Sequence, residues 1–133
     1  MKKLFLIFVI FTTCSAQSEN IATTKKNLLI EFQKVNSDNI KSTATLVFSG
    51  LDKFSEITEL TMDDVELTAS VLKTLVVFDP YDPSRTAQQM MTVSFIKNQA
   101  VYVLAFERLS ASEKKILAPM FPMLKKLNSN GNG

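Results

Sequence analysis

The sequence contains no histidine, no tryptophan and a single cysteine, Cys14. Without histidine, the chain cannot form a Ser-His-Asp triad or a Cys-His pair for nucleophilic catalysis. Zinc sites built on histidine are excluded for the same reason. The three glycines, Gly50, Gly131 and Gly133, are too few and too scattered for a phosphate-binding loop or a dinucleotide-binding motif. Carboxylate chemistry and lysine chemistry stay open, and of the remaining choices we favour no enzymatic activity, with no cofactor and no metal.

The first sixteen residues have the three-part order of a secretory signal peptide. A basic start at residues 2–3 is followed by eight apolar residues at 4–11 and by small residues before Ala16. The apolar run is much shorter than the roughly twenty residues that span a bilayer. We expect cleavage between Ala16 and Gln17, and hence a secreted or periplasmic protein.

Cys14 gives a second interpretation of the same segment. As the lipid-bearing residue of a bacterial lipoprotein, it would anchor the protein at the cell envelope. The residues before it are Phe11-Thr12-Thr13, whereas a small Gly or Ala is expected at this point. Simple cleavage is therefore the favoured interpretation, with lipid anchoring through Cys14 as the alternative.

Removal of residues 1–16 changes the charge of the chain. The full sequence has 15 basic and 13 acidic residues, and without Lys2 and Lys3 it would have 13 of each. A neutral protein has no overall field that attracts a polyanion, so we expect no nucleic acid partner. Residues 17–127 fit one small globular domain, and the polar tail at 128–133 is predicted to be disordered.

Hydrophobic spacing predicts about three helices in the N-terminal half, the first over residues 18–35. The sequence pattern of residues 39–59 does not decide between helix and strand. Their apolar residues keep helical spacing, whereas the Thr-rich stretch at 43–48 favours a strand. Thr61 and Asp64 have the spacing of a capping box, which predicts that a third helix begins there.

Asp63, Asp64 and Glu66 form an acidic cluster at this predicted helix start. Such a cluster could bind calcium or supply a pair of carboxylates for catalysis. Calcium needs six to eight oxygen ligands, usually from a loop turned by glycine, and the sequence has no such loop here. Acids also stabilise the positive end of a helix dipole, and we favour this explanation.

The spacing of apolar residues changes in the C-terminal half. Residues 91–96 alternate, residues 101–106 are rich in strand-forming types, and an Asn-containing turn at 97–99 separates them. This pattern predicts a β-hairpin near residues 89–107. A last helix is predicted from near Ser110 to about Leu127. The predicted fold class is therefore α+β and mainly helical, with an all-α bundle as the alternative.

Two segments are candidates for a contact surface. The loop from Asp79 to Arg85 presents Tyr81 and Arg85 between two Asp-Pro pairs, which are also ordinary turn residues. In the C-terminal segment, lysine pairs lie on both sides of an apolar centre: Lys114, Lys115, Phe121, Lys125 and Lys126. Such a segment suits a membrane surface or a partner's groove, although a packed final helix with its lysines in water has the same composition.

These observations predict an exported, small, non-enzymatic interaction or accessory module that acts through surface contacts with a protein partner of unknown identity. One alternative is a carrier of a lipid or another apolar ligand, in a cavity lined by some of the ten Phe and six Met residues. A further alternative is a lipoprotein associated with a membrane surface through its C-terminal segment.

Overall fold

The computed structural model describes residues 21–119, and all regular structure in this range is helical. The helices are α1 at residues 21–33, α2 at Ile40–Ser55, α3 at Val65–Phe78, α4 at Thr86–Lys97, α5 at Gln99–Glu107 and α6 at Ala111–Leu117. Short 3₁₀ turns lie on either side of α3, at Met62–Asp64 and Asp79–Tyr81. The predicted signal peptide at 1–16, the tail at 128–133 and the predicted helix beyond residue 119 lie outside the described residues.

Helix α3 is the centre of the fold. Ten of its 14 residues are buried, and it packs against α2, α5 and α6. Val71 and Leu72 have no accessible surface, and burial of each such side chain contributes about 1.5–3 kcal/mol. A helix that is apolar on nearly every side must be covered on nearly every side. Glu66 and Lys73 are its exposed positions and mark the side that faces solvent.

Residues 40–55 form helix α2, in a region where the sequence pattern does not decide between helix and strand. Its buried residues Ile40, Leu51 and Phe54 follow helical spacing, so the burial pattern prevails over the strand propensity of the Thr-rich stretch. Gly50 lies on the side that faces α1. A Cβ atom at this position would be 3.3 Å from the ring of Phe32, so the glycine allows that ring to pack closely against α2.

The β-hairpin predicted near residues 89–107 is wrong, because these residues form α4 and α5 and no strand occurs in residues 21–119. The alternation of Met91, Val93 and Phe95 indicated a strand with one buried face. In the structure Met91 and Phe95 are buried, but the spacing between them is one helical turn, and Val93 is 60% exposed. The α+β class is therefore replaced by a small, single-domain, all-helical fold.

Polar residues in the interior explain why the helical pattern of α4 is hidden in the sequence. The buried positions of α4 have helical spacing and include two polar residues: Ala87, Gln88, Met91, Ser94 and Phe95. Two apolar residues of the same helix, Val93 and Ile96, are exposed instead. An apolar stripe is the main signal of an amphipathic helix. In α4 this signal is weakened twice, because polar residues occupy buried positions and apolar residues occupy exposed ones.

Asn98 separates α4 from α5 and turns the chain from one packing partner to another. Helix α4 packs on α2, whereas α5 packs on α3. The Asn98 side chain is buried; its Oδ1 accepts a hydrogen bond from the Leu60 N–H at 2.9 Å, and its Nδ2 donates to the Ser94 carbonyl at 2.9 Å. One residue therefore joins the helix junction to the segment that precedes α3.

Tyr102 ties α5 to α4 within the core. Its hydroxyl donates to Ser94 Oγ at 2.8 Å, and its ring meets the Phe95 ring edge-on, with 5.4 Å between the centroids. Burial raises the pKa of Tyr102 from 10.0 to about 12, and the hydrogen bond to Ser94 offsets part of that rise. The hydroxyl is thus held in its neutral form at the centre of the molecule.

Candidate functional site

The loop between α3 and α4 is held to the start of α4 by Asp82. The Asp82 carboxylate is buried and accepts two backbone hydrogen bonds, from the Thr86 N–H at 3.1 Å and the Ala87 N–H at 3.0 Å. A carboxylate at this position satisfies amide groups that have no partner within the helix and faces the positive end of the helix dipole. The loop therefore has a fixed position relative to α4.

The second acid of the loop is also used within the fold. Asp79 Oδ1 accepts a hydrogen bond from Gln88 Nε2 at 3.2 Å. A further contact joins Ser84 Oγ and Thr86 Oγ1 at 3.0 Å. The two Asp-Pro pairs thus perform the turn and capping role that sequence reasoning considered beside a binding role.

Arg85 has a left-handed backbone conformation, with φ 55° and ψ 36°, and no other non-glycine residue in 21–119 has a positive φ. This conformation costs an L-residue about 1–2 kcal/mol. Two backbone hydrogen bonds maintain it: the Arg85 N–H donates to the Asp82 carbonyl at 2.9 Å, and the Arg85 carbonyl accepts from the Gln89 N–H at 3.0 Å. The side chain of Arg85 remains exposed.

Tyr81 precedes Arg85 by four residues in the same loop and is 47% exposed. The ammonium group of Lys41, at the start of α2, lies 5.6 Å from the centroid of the Tyr81 ring, within the range of a cation–π contact. The hydrogen bond from the Arg85 N–H to the Asp82 carbonyl closes a turn directly after Tyr81, so Tyr81 and Arg85 belong to the same short loop. Lys41, Tyr81 and Arg85 together are called the loop patch below.

Sequence reasoning selected Tyr81 and Arg85 but missed Lys41. Lys41 is on another helix, and no local pattern links a lysine in the first turn of α2 to the loop after α3. Its position follows from the tertiary packing of these two helices, which are in contact. A charge count along the sequence could not have found this residue.

The other predicted contact residues are on α6 or beyond it. Lys114 Nζ lies 5.9 Å from the centroid of the Phe106 ring, so this lysine covers an aromatic side chain of α5. Lys115 is exposed to solvent. Three of the predicted contact residues, together with Cys14, Ala16 and Gln17, lie outside the described residues: Phe121, Lys125 and Lys126.

The acidic cluster at the start of α3 has a structural role through Asp64. Its buried carboxylate accepts hydrogen bonds from the Thr61 N–H at 2.8 Å and from Lys25 Nζ at 2.9 Å. Glu66 accepts instead from Gln33 Nε2 at 3.2 Å. Within residues 21–119, no group of three or more His, Cys, Asp or Glu side chains is arranged to hold a metal ion.

Three grooves on the described surface could receive a ligand. The most apolar of them lies between α1 and α2 and has a volume of about 180 Å³. It is bordered by Phe32, Val35, Leu46 and Val47, with Glu31 and Lys34 also in its walls. The other two, of about 740 and 350 Å³, carry charged side chains in their walls. These residues are Lys25, Lys53, Glu56 and Glu59 in the larger groove, and Glu66, Lys73 and Arg108 in the smaller one.

Within residues 21–119, no helix combines the length and the apolar character needed to cross a bilayer.

Comparisons of this chain with protein-family models, with curated proteins and with solved structures give no match. Its function must therefore be inferred from the residues and the geometry described above.

Proposed function

We propose that this chain is an exported, non-enzymatic interaction module that binds a protein partner through the loop patch. The observation that carries the proposal is the exposure of Tyr81 and Arg85 on a loop whose backbone is already fixed by Asp82. Tyrosine and arginine are enriched among the residues that contribute most to protein–protein affinity. A loop held in place before binding loses less conformational entropy when the partner arrives.

Sequence features support the other parts of the proposal. The basic, apolar and small-residue order of residues 1–16 supports export. The lack of histidine and the single cysteine, Cys14, support a role without catalysis, because Ser-His-Asp and Cys-His machinery cannot be assembled from this chain.

The carrier hypothesis receives less support from the described residues. Ligand pockets usually have volumes of about 300–1,000 Å³ and mainly apolar walls. The apolar groove between α1 and α2, at about 180 Å³, is smaller than this range. The two larger grooves have charged walls that do not suit a lipid chain. A binding role for the loop patch is therefore preferred.

Selection of peptides from a random display library on the purified protein tests this proposal without knowledge of the partner. Peptides selected on the wild type should bind the double variant Tyr81→Ala/Arg85→Gly at least about tenfold more weakly, because two central contacts are lost. Glycine is chosen at position 85 because it accepts the positive φ and so preserves the shape of the loop.

A matched control removes exposed apolar surface elsewhere. Val93→Ala/Ile96→Ala trims two side chains on α4 that are 60% and 56% exposed, and it should leave the affinity of the same peptides unchanged. The proposal is overturned if all selected peptides tolerate the change at Tyr81 and Arg85, while circular dichroism shows that both variants are folded.

A further inference from the structure

The fold determines which charged side chains of the loop are most exposed to a partner. The sequence from Asp79 to Arg85 has two acids and one base, so a charge count describes a loop with excess negative charge. In the fold, the Asp82 carboxylate is directed to the amides of α4 and the Asp79 carboxylate accepts from Gln88. The exposed basic group of the loop is the Arg85 side chain, and Lys41 adds a second cation from α2.

Both cations of the loop patch are available for a partner. Within residues 21–119 the ion pair that the structure shows is Lys25 with Asp64, and neither Lys41 nor Arg85 has a carboxylate within 4.0 Å. The Lys41 ammonium instead lies over the Tyr81 ring, where an incoming carboxylate can reach it from the solvent side. Among residues 21–119, the loop patch therefore combines two cations that have no carboxylate partner with the exposed ring of Tyr81.

We propose that the segment of the partner that binds the loop patch is acidic, with Asp or Glu side chains next to an apolar or aromatic residue. This inference rests on the proposed function and specifies the chemistry of its partner. The Arg85 guanidinium can hold a carboxylate with two parallel hydrogen bonds, which an ammonium cannot do. The exposed Tyr81 ring provides the apolar contact.

The size of the patch favours an acidic peptide over a polyanion. Binding to a nucleic acid depends on many phosphate contacts along an extended basic surface, and this patch contributes two cations. Two charges and one ring match the footprint of a short peptide segment, in which a few side chains dominate the affinity.

The experiment uses the peptides that depend on the loop patch in the display selection. We expect these peptides to be enriched in Asp and Glu relative to the unselected library. For the tightest of them, a synthetic version with every acid replaced by the matching amide should bind about tenfold more weakly. The Kd of the acidic peptide should rise with added salt, whereas the Kd of the amide peptide should stay nearly constant.

Single-site variants assign the effect to named cations. Lys41→Gln should weaken binding of the acidic peptide severalfold. Arg85→Lys should also weaken this binding, because lysine keeps the charge but cannot form two parallel hydrogen bonds to a carboxylate. Lys26→Gln is the matched control: it removes an exposed lysine on α1 and should leave the affinity unchanged.

The outcomes separate the two proposals. Patch-dependent peptides that lack acids, or that bind equally well as amides, overturn the acidic preference and leave the protein-binding role intact. Peptides that do not depend on the patch at all overturn both. Binding to vesicles of anionic phospholipid that requires Lys41 and Arg85, without any patch-dependent peptide, overturns both in favour of a membrane surface.

Discussion

Two aspartates in this fold have equally buried carboxylates beside a helix start and different consequences. Asp64 and Asp82 both lie at a helix start, and each is 8% exposed. Asp64 binds the ammonium of Lys25, which is 39 residues earlier in the chain, and so connects α1 to the start of α3. Asp82 binds only nearby backbone amides, those of Thr86 and Ala87. The first joins distant elements, whereas the second fixes a loop whose neighbouring side chains remain exposed.

Burial alone does not distinguish an acid that stabilises the whole fold from one that fixes the geometry of an exposed loop. The two carboxylates are equally buried and both act at the positive end of a helix. They differ in the sequence distance of their partners. An acid with a distant partner contributes to global stability, while an acid with local partners sets the geometry of the exposed residues beside it.

The largest effect is expected for Asp64→Ala. It leaves the Thr61 N–H without its acceptor and Lys25 without its carboxylate, so the free energy of unfolding should fall by about 2–3 kcal/mol. Urea denaturation followed by circular dichroism measures this change. Lys25→Gln is the control that keeps the cap, and it should cost less than about 1 kcal/mol because the lysine is partly exposed. Equal losses in the two variants would show that the ion pair, and not the cap, carries the effect.

Alkaline pH should weaken the α4–α5 side of the molecule through Tyr102. Because the pKa of Tyr102 is raised to about 12, the unfolded chain loses the proton before the folded chain does. The stabilising contribution is complete below pH 10 and is lost as the pH rises through 12. At pH 11 the expected loss is on the order of 1 kcal/mol.

Urea titrations at pH 9 and pH 11 measure this loss, with Tyr102→Phe as the reference. The variant lacks the titrating hydroxyl and should lack this part of the pH dependence, although it also loses the hydrogen bond to Ser94. An identical fall in stability between the two pH values for both proteins would assign the alkaline effect to other groups.

Asp82→Ala should cost about 1 kcal/mol, less than Asp64→Ala, because the bonds lost are all local to the start of α4. It should also weaken peptides that depend on the loop patch, although all three side chains of the patch are retained. Asp82→Ser keeps a side-chain acceptor at the helix start and should preserve most of both properties. Unchanged peptide affinity in Asp82→Ala would contradict the view that this acid fixes the patch.

The smallest effect, and the one of opposite sign, is expected for Arg85→Gly. Glycine adopts a positive φ without the steric cost paid by arginine, and the gain is partly offset by the entropy of glycine in the unfolded chain. The net stabilisation should be about 0.5–1 kcal/mol, measured by thermal and urea unfolding. Arg85→Ala keeps a Cβ atom and should show no such gain. A destabilised glycine variant would indicate that the arginine side chain itself supports the loop.

The sequence predicts the start of α3 well and the α4–α5 region poorly, for a physical reason. At α3 the signal is local, because Thr61 and Asp64 are three residues apart and bind each other directly. In α4 and its junction with α5, the buried positions include Gln88, Ser94 and Asn98, whose partners are set by the fold. Hydrophobic periodicity cannot identify a helix whose interior side contains this many hydrogen-bonding residues.

The residues of the loop patch also differ in whether the sequence alone could identify them. Tyr81 and Arg85 were predicted as contact residues from their place between two Asp-Pro pairs, and their role in binding stays a prediction. Lys41 was not predicted, because its position depends on how α2 packs near the end of α3. The positive φ of Arg85 was not predicted either, since glycine or asparagine is the usual sign of such a position.

Asn98 couples the local opening of two segments that are far apart in the sequence. Its side chain accepts the Leu60 N–H and is itself held in the junction between α4 and α5. The Leu60 amide can exchange its hydrogen with solvent only when that junction releases the Asn98 side chain. Leu60 should therefore exchange at the rate of the Asn98 amide, which donates to the Ser94 carbonyl at 3.0 Å, although Leu60 lies 38 residues away and outside any helix. Two segments remote in the sequence would then report one and the same motion.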